Sequence, residues 1–181
     1  MDAQRGGDHS EADPTPVEAD AGSAGGPGPD TAGIAEYAGA LADGIAAAVP
    51  SWVERSVDRL YRAWAGPPPA PVMEAARRSG REALAAVGPA VRALLESDVD
   101  DQRTTPLSIL RDAVRYPTAV LAAAGVPEVV RDPMDEAMFP DDPYGLTPAA
   151  LGDVDPGLAG LGIAWGAAKA SVHRRRHRRG T

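Results

Sequence analysis

The chain has 181 residues, of which 44% are apolar but only 4% aromatic, and it contains no cysteine. This length suits one domain with additional terminal segments and is short for two. The absence of cysteine excludes a disulfide framework, a thiolate nucleophile and a cysteine-based metal site. No stretch is long and apolar enough for a membrane helix. We therefore expect a single cytoplasmic domain with a modest, alanine-rich core.

The net charge of −8 is distributed unevenly along the chain. Residues 1–33 hold seven acidic residues and one arginine, whereas residues 173–181 hold five arginines and no acidic residue. The first 32 residues are rich in glycine and proline and have almost no large apolar side chain. They therefore cannot bury enough apolar surface to offset the conformational entropy lost on folding. We predict a disordered acidic tail at 1–32, a helical domain at 33–172 and a basic Arg/His-rich tail at 173–181.

Helical periodicity begins after the acidic segment. A first helix is predicted by apolar residues spaced three or four apart, with Pro50 as its end: Ile34, Tyr37, Leu41, Ile45 and Val49. Ser51 and Glu54 have the spacing of a capping box and predict the start of a second helix. Its apolar face is predicted to place these side chains in the core: Val53, Val57, Leu60, Tyr61 and Trp64.

The proline-rich stretch 66–71 ends the second helix and predicts a stiff spacer. Beyond it, a 3.6-residue apolar period continues through Gly88-Pro89, which predicts one kinked helix or two collinear ones. The members of this stripe are Met73, Ala76, Gly80, Leu84, Val87, Val91 and Leu94.

The segment 103–148 and the residues directly after it are rich in sequence signals for helix starts and ends. Four pairs, beginning at Thr105, Asp132, Thr147 and Asp155, place a side-chain acceptor directly before a proline, as helix starts prefer. Tyr116-Pro117 and Val126-Pro127 predict further breaks, with Gly125 ending a helix. A last helix is predicted over about 158–172. The fold class is therefore all-α: an irregular bundle of about six to eight short helices with many proline breaks, flanked by disordered tails.

The best candidates for a partner contact are Met138, Phe139 and Tyr144. They lie in or beside a run in which prolines prevent a regular helix and acidic residues favour solvent. Rigid, partly exposed aromatic side chains lose little entropy on binding and often anchor interfaces. The alternative is that both aromatic side chains close the end of the helical core. The first hypothesis predicts a non-enzymatic protein-interaction or regulatory module whose partner is another protein or a second copy.

The C-terminal arginines support a second hypothesis, in which Arg174, Arg175, Arg176, Arg178 and Arg179 contact an anion. An accessory protein could dock to nucleic acid or an anionic membrane through them, although a solvated tail is the simpler interpretation. A third alternative is an undetected enzyme. The sequence predicts no catalytic residue, cofactor, metal site or small-molecule substrate: the acidic residues Asp132, Asp135, Glu136, Asp141 and Asp142 lack the spacing of a calcium loop.

Three segments resemble parts of uncharacterised small helical proteins of high-GC actinobacteria. They are RDAVRYPTAVLAAAGVP at 111–127, FPDDPYGLTPA at 139–149 and WGAAKA at 165–170. The preference for arginine over lysine, with Lys169 as the only lysine, fits such an origin. The resemblance implies no activity, ligand or catalytic residue.

Overall fold

A computed structural model of the chain describes residues 31–97 and 105–179. Within these ranges the backbone forms α-helices and one short 3-10 turn, and no β-strand. The elements are α1 Thr31–Ala47, α2 Val49–Ala65, α3 Ala70–Glu96, α4 Leu107–Asp112, α5 Arg115–Ala123, α6 Pro133–Met138, α7 Leu151–Val154, the 3-10 turn Pro156–Leu158 and α8 Leu161–Arg179. The all-α fold class is confirmed. Residues 1–30 of the predicted acidic tail lie outside the described residues.

The long helix α3 is the centre of the bundle and packs against α1, α2, α4, α5 and α8. Seven of its residues are buried, and four of these are small: Ala76, Ser79, Gly80 and Ala83. Small side chains on a helix face allow the axes of neighbouring helices to approach closely. The sequence left open one helix or two collinear helices through Pro89, and the structure has one, since α3 runs unbroken past that residue.

Leu84 was expected on the buried face of α3 but is 37% exposed, so this part of the prediction is wrong. The observed face follows Ala76, Gly80, Ala83 and Val87. This path leaves Leu84 at its edge. Ala83 therefore occupies the buried position that side-chain size alone would assign to Leu84.

A close helix contact occurs where Gly80 of α3 meets Pro50 of α2. A Cβ atom added at Gly80 would lie 3.0 Å from the Pro50 Cα atom and 3.1 Å from its carbonyl oxygen. Both distances are shorter than ordinary carbon contacts, and backbone atoms cannot rotate away as a side chain can. Glycine is therefore the residue that fits at this crossing.

The second helix begins earlier than the capping box predicts. α2 starts at Val49, Pro50 lies in its first turn, and Ser51 is an exposed residue inside the helix. The predicted capping box is therefore wrong. The physical reason is that N–H groups in the first turn of a helix have no partner within the helix, so a proline, which lacks this group, fits well there. Pro50 therefore lies in the first turn of α2.

Trp64 was predicted to be a core residue, and this prediction is wrong because the side chain is 47% exposed. The buried residues of α2 all lie in its first half, from Val49 to Val57. Trp64 lies in the last turn, where its ring packs edge-on against Tyr61 with centroids 5.4 Å apart. The apolar stripe thus continues beyond the point where neighbouring helices cover it.

Two of the four predicted acceptor-proline helix starts are confirmed. The Asp132 carboxylate accepts a hydrogen bond from the Met134 amide at 2.8 Å and caps α6. The Asp155 carboxylate accepts one from the Gly157 amide at 2.8 Å and caps the 3-10 turn. Proline at the next position supplies the fixed φ that a first helical turn needs.

The other proline signals have different outcomes. The Thr105 hydroxyl is 3.4 Å from the Leu107 amide, so it lies at the start of α4. No helix begins at Thr147, whose polar groups instead bind Asp142. Pro117 does not break a helix, because it lies in the first turn of α5. Gly125 has a φ of +74° and follows the end of α5, as expected for a helix stop.

The last helix, α8, is longer than the sequence pattern predicts and continues to Arg179. Arginine is a good helix former and its charge is favourable at a helix C-terminus. Trp165 anchors α8 in the core with 0% exposure. The buried Lys169 also ties α8 to the end of α3, because its ammonium donates to the Leu94 carbonyl at 2.7 Å and to the Ser97 hydroxyl at 2.9 Å.

Candidate functional site

An exposed apolar surface lies on and before α6. We call it the α6 surface and define it by Val129, Val130, Met134 and Met138, which are 39%, 102%, 70% and 56% exposed. The two methionines are four residues apart, so they share one face of the helix. None of the α6 residues is buried. The helix therefore contributes nothing to the core, and its apolar side chains point to solvent.

Polar contacts within the segment 129–143 stabilise the backbone around α6, which has no buried side chain. Asp132 caps its N-terminus, and the Arg131 guanidinium donates to the Phe139 carbonyl at 2.7 Å, past its C-terminus. The Val129 amide donates to the Pro143 carbonyl at 3.1 Å and joins the strand-like entry segment to the turn that follows α6. The α6 surface is therefore held on a defined backbone, which reduces the entropy lost on binding.

Two adjoining cavities, of about 460 and 370 Å³, lie beside this surface. The two cavities share five wall residues: Arg111, Met138, Phe139, Asp142 and Thr147. We call them together the Asp142 cleft. It separates α4 from the turn 139–149, and Met138 belongs both to its wall and to the α6 surface.

Asp142 is the buried charged residue of the cleft, with 4% exposure. Its Oδ2 atom accepts two hydrogen bonds from Thr147, at 2.6 Å from the amide and 2.8 Å from the hydroxyl. Its Oδ1 atom is also buried and has no hydrogen-bond partner among the described residues. Most buried polar atoms are satisfied in native proteins, so an unsatisfied carboxylate oxygen is an unusual feature.

Two of the three arginines that line the cleft bind backbone carbonyl groups, and the third, Arg115, donates to the Tyr116 hydroxyl at 3.2 Å. The Arg111 Nε atom donates to the Pro148 carbonyl at 3.2 Å, and its guanidinium lies 5.8 Å from the centre of the Phe139 ring. Arg131 binds the Phe139 carbonyl. Neither arginine forms an ion pair with Asp142. The cleft thus combines a buried carboxylate and an aromatic ring with charged side chains of both signs.

The three predicted contact residues have different environments. Met138 is exposed and Phe139 is half-buried beside the cleft. Tyr144 was expected near the surface, and this is wrong because the side chain is 3% exposed and belongs to the core. Its hydroxyl donates to the Val126 carbonyl at 2.9 Å. The turn directs the ring inward, so Tyr144 offers no surface to a partner and follows the alternative interpretation.

The predicted anion contacts lie on the last turns of α8. Arg174, Arg176 and Arg178 are exposed, and Arg175 is half-buried. The side chain of Arg179 lies outside the described residues. The Arg174 guanidinium donates to the Ser171 hydroxyl at 3.0 Å, and that of Arg176 is 3.7 Å from the Glu96 carboxylate. On the same helix, the Nε2 atoms of His173 and His177 are 3.0 Å apart.

Sequence reasoning missed Val129, Val130, Met134 and the burial of Asp142. The available signal was the isolation of these apolar residues among prolines and acidic residues, since no helical period connects them to a core face. Over the described parts of the chain, no group of three or more His, Asp or Glu residues has the arrangement to hold a metal ion. The same parts contain no helix that is long and apolar enough to span a membrane.

No family model, no curated protein and no solved structure matches this chain. The resemblance to actinobacterial proteins therefore stays a prediction.

Tyr144→Phe tests the inward orientation of this residue. Removing the hydroxyl loses its bond to the Val126 carbonyl, which should lower the free energy of unfolding by about 0.5–1.5 kcal/mol at neutral pH. Burial and, secondarily, the charge of Glu128 raise the pKa of Tyr144 above its ordinary value. The neutral phenol then stabilises the fold below about pH 10, and this contribution is lost as the pH rises further.

Urea unfolding between about pH 7 and pH 11 checks this expectation, because these values bracket the ordinary tyrosine pKa. The wild type should lose more stability in the alkaline range than the phenylalanine variant. Tyr37→Phe is the matched control, since Tyr37 is 54% exposed. Parallel pH profiles for the wild type and Tyr144→Phe would show that the phenol is not buried.

Proposed function

We propose that this chain is a non-enzymatic protein-interaction module whose contact surface is the α6 surface together with Phe139. The observation that carries the proposal is that α6 is a positioned helix without a single buried residue, which exposes two methionines on one face. Contiguous exposed apolar side chains bordered by polar residues are typical of interaction sites.

The chemistry of the α6 surface supports this function. Methionine has an unbranched, polarizable side chain that adapts to differently shaped partners, and it is common on surfaces that bind amphipathic helices. Acidic residues border the methionines on the same helix, at Asp135 and Glu136. Such a polar border keeps the free protein in solution and restricts which partners can bind.

The lack of cysteine across all 181 residues accords with a cytoplasmic location, where disulfides are rare. A cytoplasmic location is therefore part of the proposal, and it puts the α6 surface in reach of other cytoplasmic proteins.

The double substitution Met134→Gln with Met138→Gln tests the proposal. Glutamine has a similar length and helix propensity but is polar, so the variant should lose partner binding while its stability changes by less than about 0.5 kcal/mol. Binding is measured by quantitative capture from the native cell together with self-association by sedimentation. Ile163→Gln is the matched control, because Ile163 is 86% exposed on α8. An interaction profile equal to those of the wild type and the control would contradict the proposal.

A second candidate function is docking to nucleic acid or an anionic membrane through the C-terminal part of α8. The observation that favours it is the helical spacing of Arg174 and Arg178, which are exposed and four residues apart on one face. Aligned arginines can bind phosphate groups in a salt-dependent manner without reading a sequence.

Arg174→Gln with Arg178→Gln should reduce retention on duplex DNA or on phosphatidylserine vesicles, whichever binds the wild type. The binding of the wild type should itself weaken steeply with salt. Arg78→Gln with Arg81→Gln on the exposed side of α3 removes the same charge elsewhere. Equal losses in the two double variants would indicate an effect of net charge alone, and the absence of binding by the wild type would exclude this function.

A further inference from the structure

We infer that the Asp142 cleft receives a lysine or arginine side chain from the partner that binds the α6 surface. The inference rests on the proposed function and specifies the partner as a protein segment with an apolar helical face and basic side chains. Its first support is the buried Oδ1 atom of Asp142, which has no hydrogen-bond partner among the described residues. A buried acceptor without a donor destabilises a protein unless another group satisfies it.

The cations that line the cleft form no bond with this carboxylate. Arg111 is engaged by the Pro148 carbonyl and the Phe139 ring, Arg131 by the Phe139 carbonyl, and Arg115 by the Tyr116 hydroxyl. Both side-chain contacts of Asp142 come from Thr147 and reach the Oδ2 atom. The Oδ1 atom is buried and lacks a donor, and a cationic side chain inserted into the cleft would supply one.

The walls of the cleft match the shape of a long cationic side chain. Such a side chain has an apolar stem and a charged end, and it packs the stem along apolar groups while the end finds an acceptor. Met138, Phe139 and Pro140 provide apolar contacts along the cleft. Because Met138 also belongs to the α6 surface, a helix bound there could direct one side chain towards Asp142.

Charge complementarity identifies the partner as basic. Five acidic residues near the α6 surface are exposed and form no ion pair: Glu128, Asp132, Asp135, Glu136 and Asp141. Their combined charge attracts a basic segment and disfavours an acidic one. The α6 surface therefore favours a partner helix with an apolar face. The surrounding acidic residues favour a partner with positive charge, and the cleft accepts one of its cationic side chains.

The test uses the full chain and two synthetic amphipathic peptides of equal length. One is built from leucine and lysine, and the other has glutamate in place of every lysine. Isothermal titration should show binding of the leucine-lysine peptide and no binding of the leucine-glutamate peptide. Asp142→Asn should weaken the binding of the first peptide at least about tenfold, because the amide keeps an acceptor for Thr147 but removes the charge.

The matched control is Glu82→Gln, which makes the same change of charge on the exposed side of α3. It should leave the affinity within about twofold of the wild type, since distant exposed charges are screened. If Asp142→Asn fails to fold, Ala149→Trp provides the test, because Ala149 is an exposed residue in the cleft wall. That variant should fill the cleft and cause the same loss of affinity.

The outcomes separate this inference from the proposed function. One outcome is that the double methionine variant loses affinity while Asp142→Asn or Ala149→Trp keeps it. This would contradict the insertion of a cation into the cleft and leave the α6 surface as a contact site. Equal losses of affinity in Asp142→Asn and Glu82→Gln would likewise contradict a cation site in the cleft. Binding of both peptides, or of neither, would contradict the inference that the partner is basic. The capture experiment tests the α6 surface independently of the charge of the partner.

Discussion

The close contact between Gly80 and Pro50 sets the geometry on which the bundle depends. A core with few aromatic side chains must gain its stability from close approach of the backbones, since alanine buries little area. Many of the buried residues are alanines, including Ala42, Ala76 and Ala83. These side chains make good contacts only when the helix axes lie close together. Gly80 allows this approach between α2 and α3, and α1, α5 and α8 then pack around the same central helix.

This arrangement gives α3 and α6 different roles. The buried face of α3 carries small residues, whereas α6 buries none of its residues and is positioned by Asp132, Arg131 and the contact between Val129 and Pro143. Methionine side chains that would stabilise a core are therefore left on the outside. Such a surface carries a risk of nonspecific association, and the proposed binding role would account for its presence.

Much of the fold could be predicted from the sequence, because helical periodicity and proline position are local signals. The Asp132 cap and the passage of α3 through Pro89 followed from them. Burial could not be predicted in the same way, since it depends on which neighbours cover a face. Trp64 extends a good apolar stripe beyond its covering helices, and Tyr144 turns inward from a segment that appeared polar. The Asp142 cleft also depends on a tertiary contact, between Arg111 of α4 and the Pro148 carbonyl. Within the turn itself, Thr147 has the sequence pattern of a helix cap but binds the Asp142 carboxylate instead.

The stabilities of Gly80→Ala and Gly39→Ala, measured together by urea unfolding, test the central claim most directly. Alanine is favoured over glycine inside a helix by about 1 kcal/mol at both positions. At Gly39, in the middle of α1, the new Cβ would have no atom within 4 Å beyond its own helix backbone, so that variant should gain stability. At Gly80 it would meet the Pro50 backbone at 3.0 Å, so that variant should lose about 1–3 kcal/mol as the helices separate. Equal gains in the two variants would contradict the account, because they would show that the bundle does not depend on this close approach.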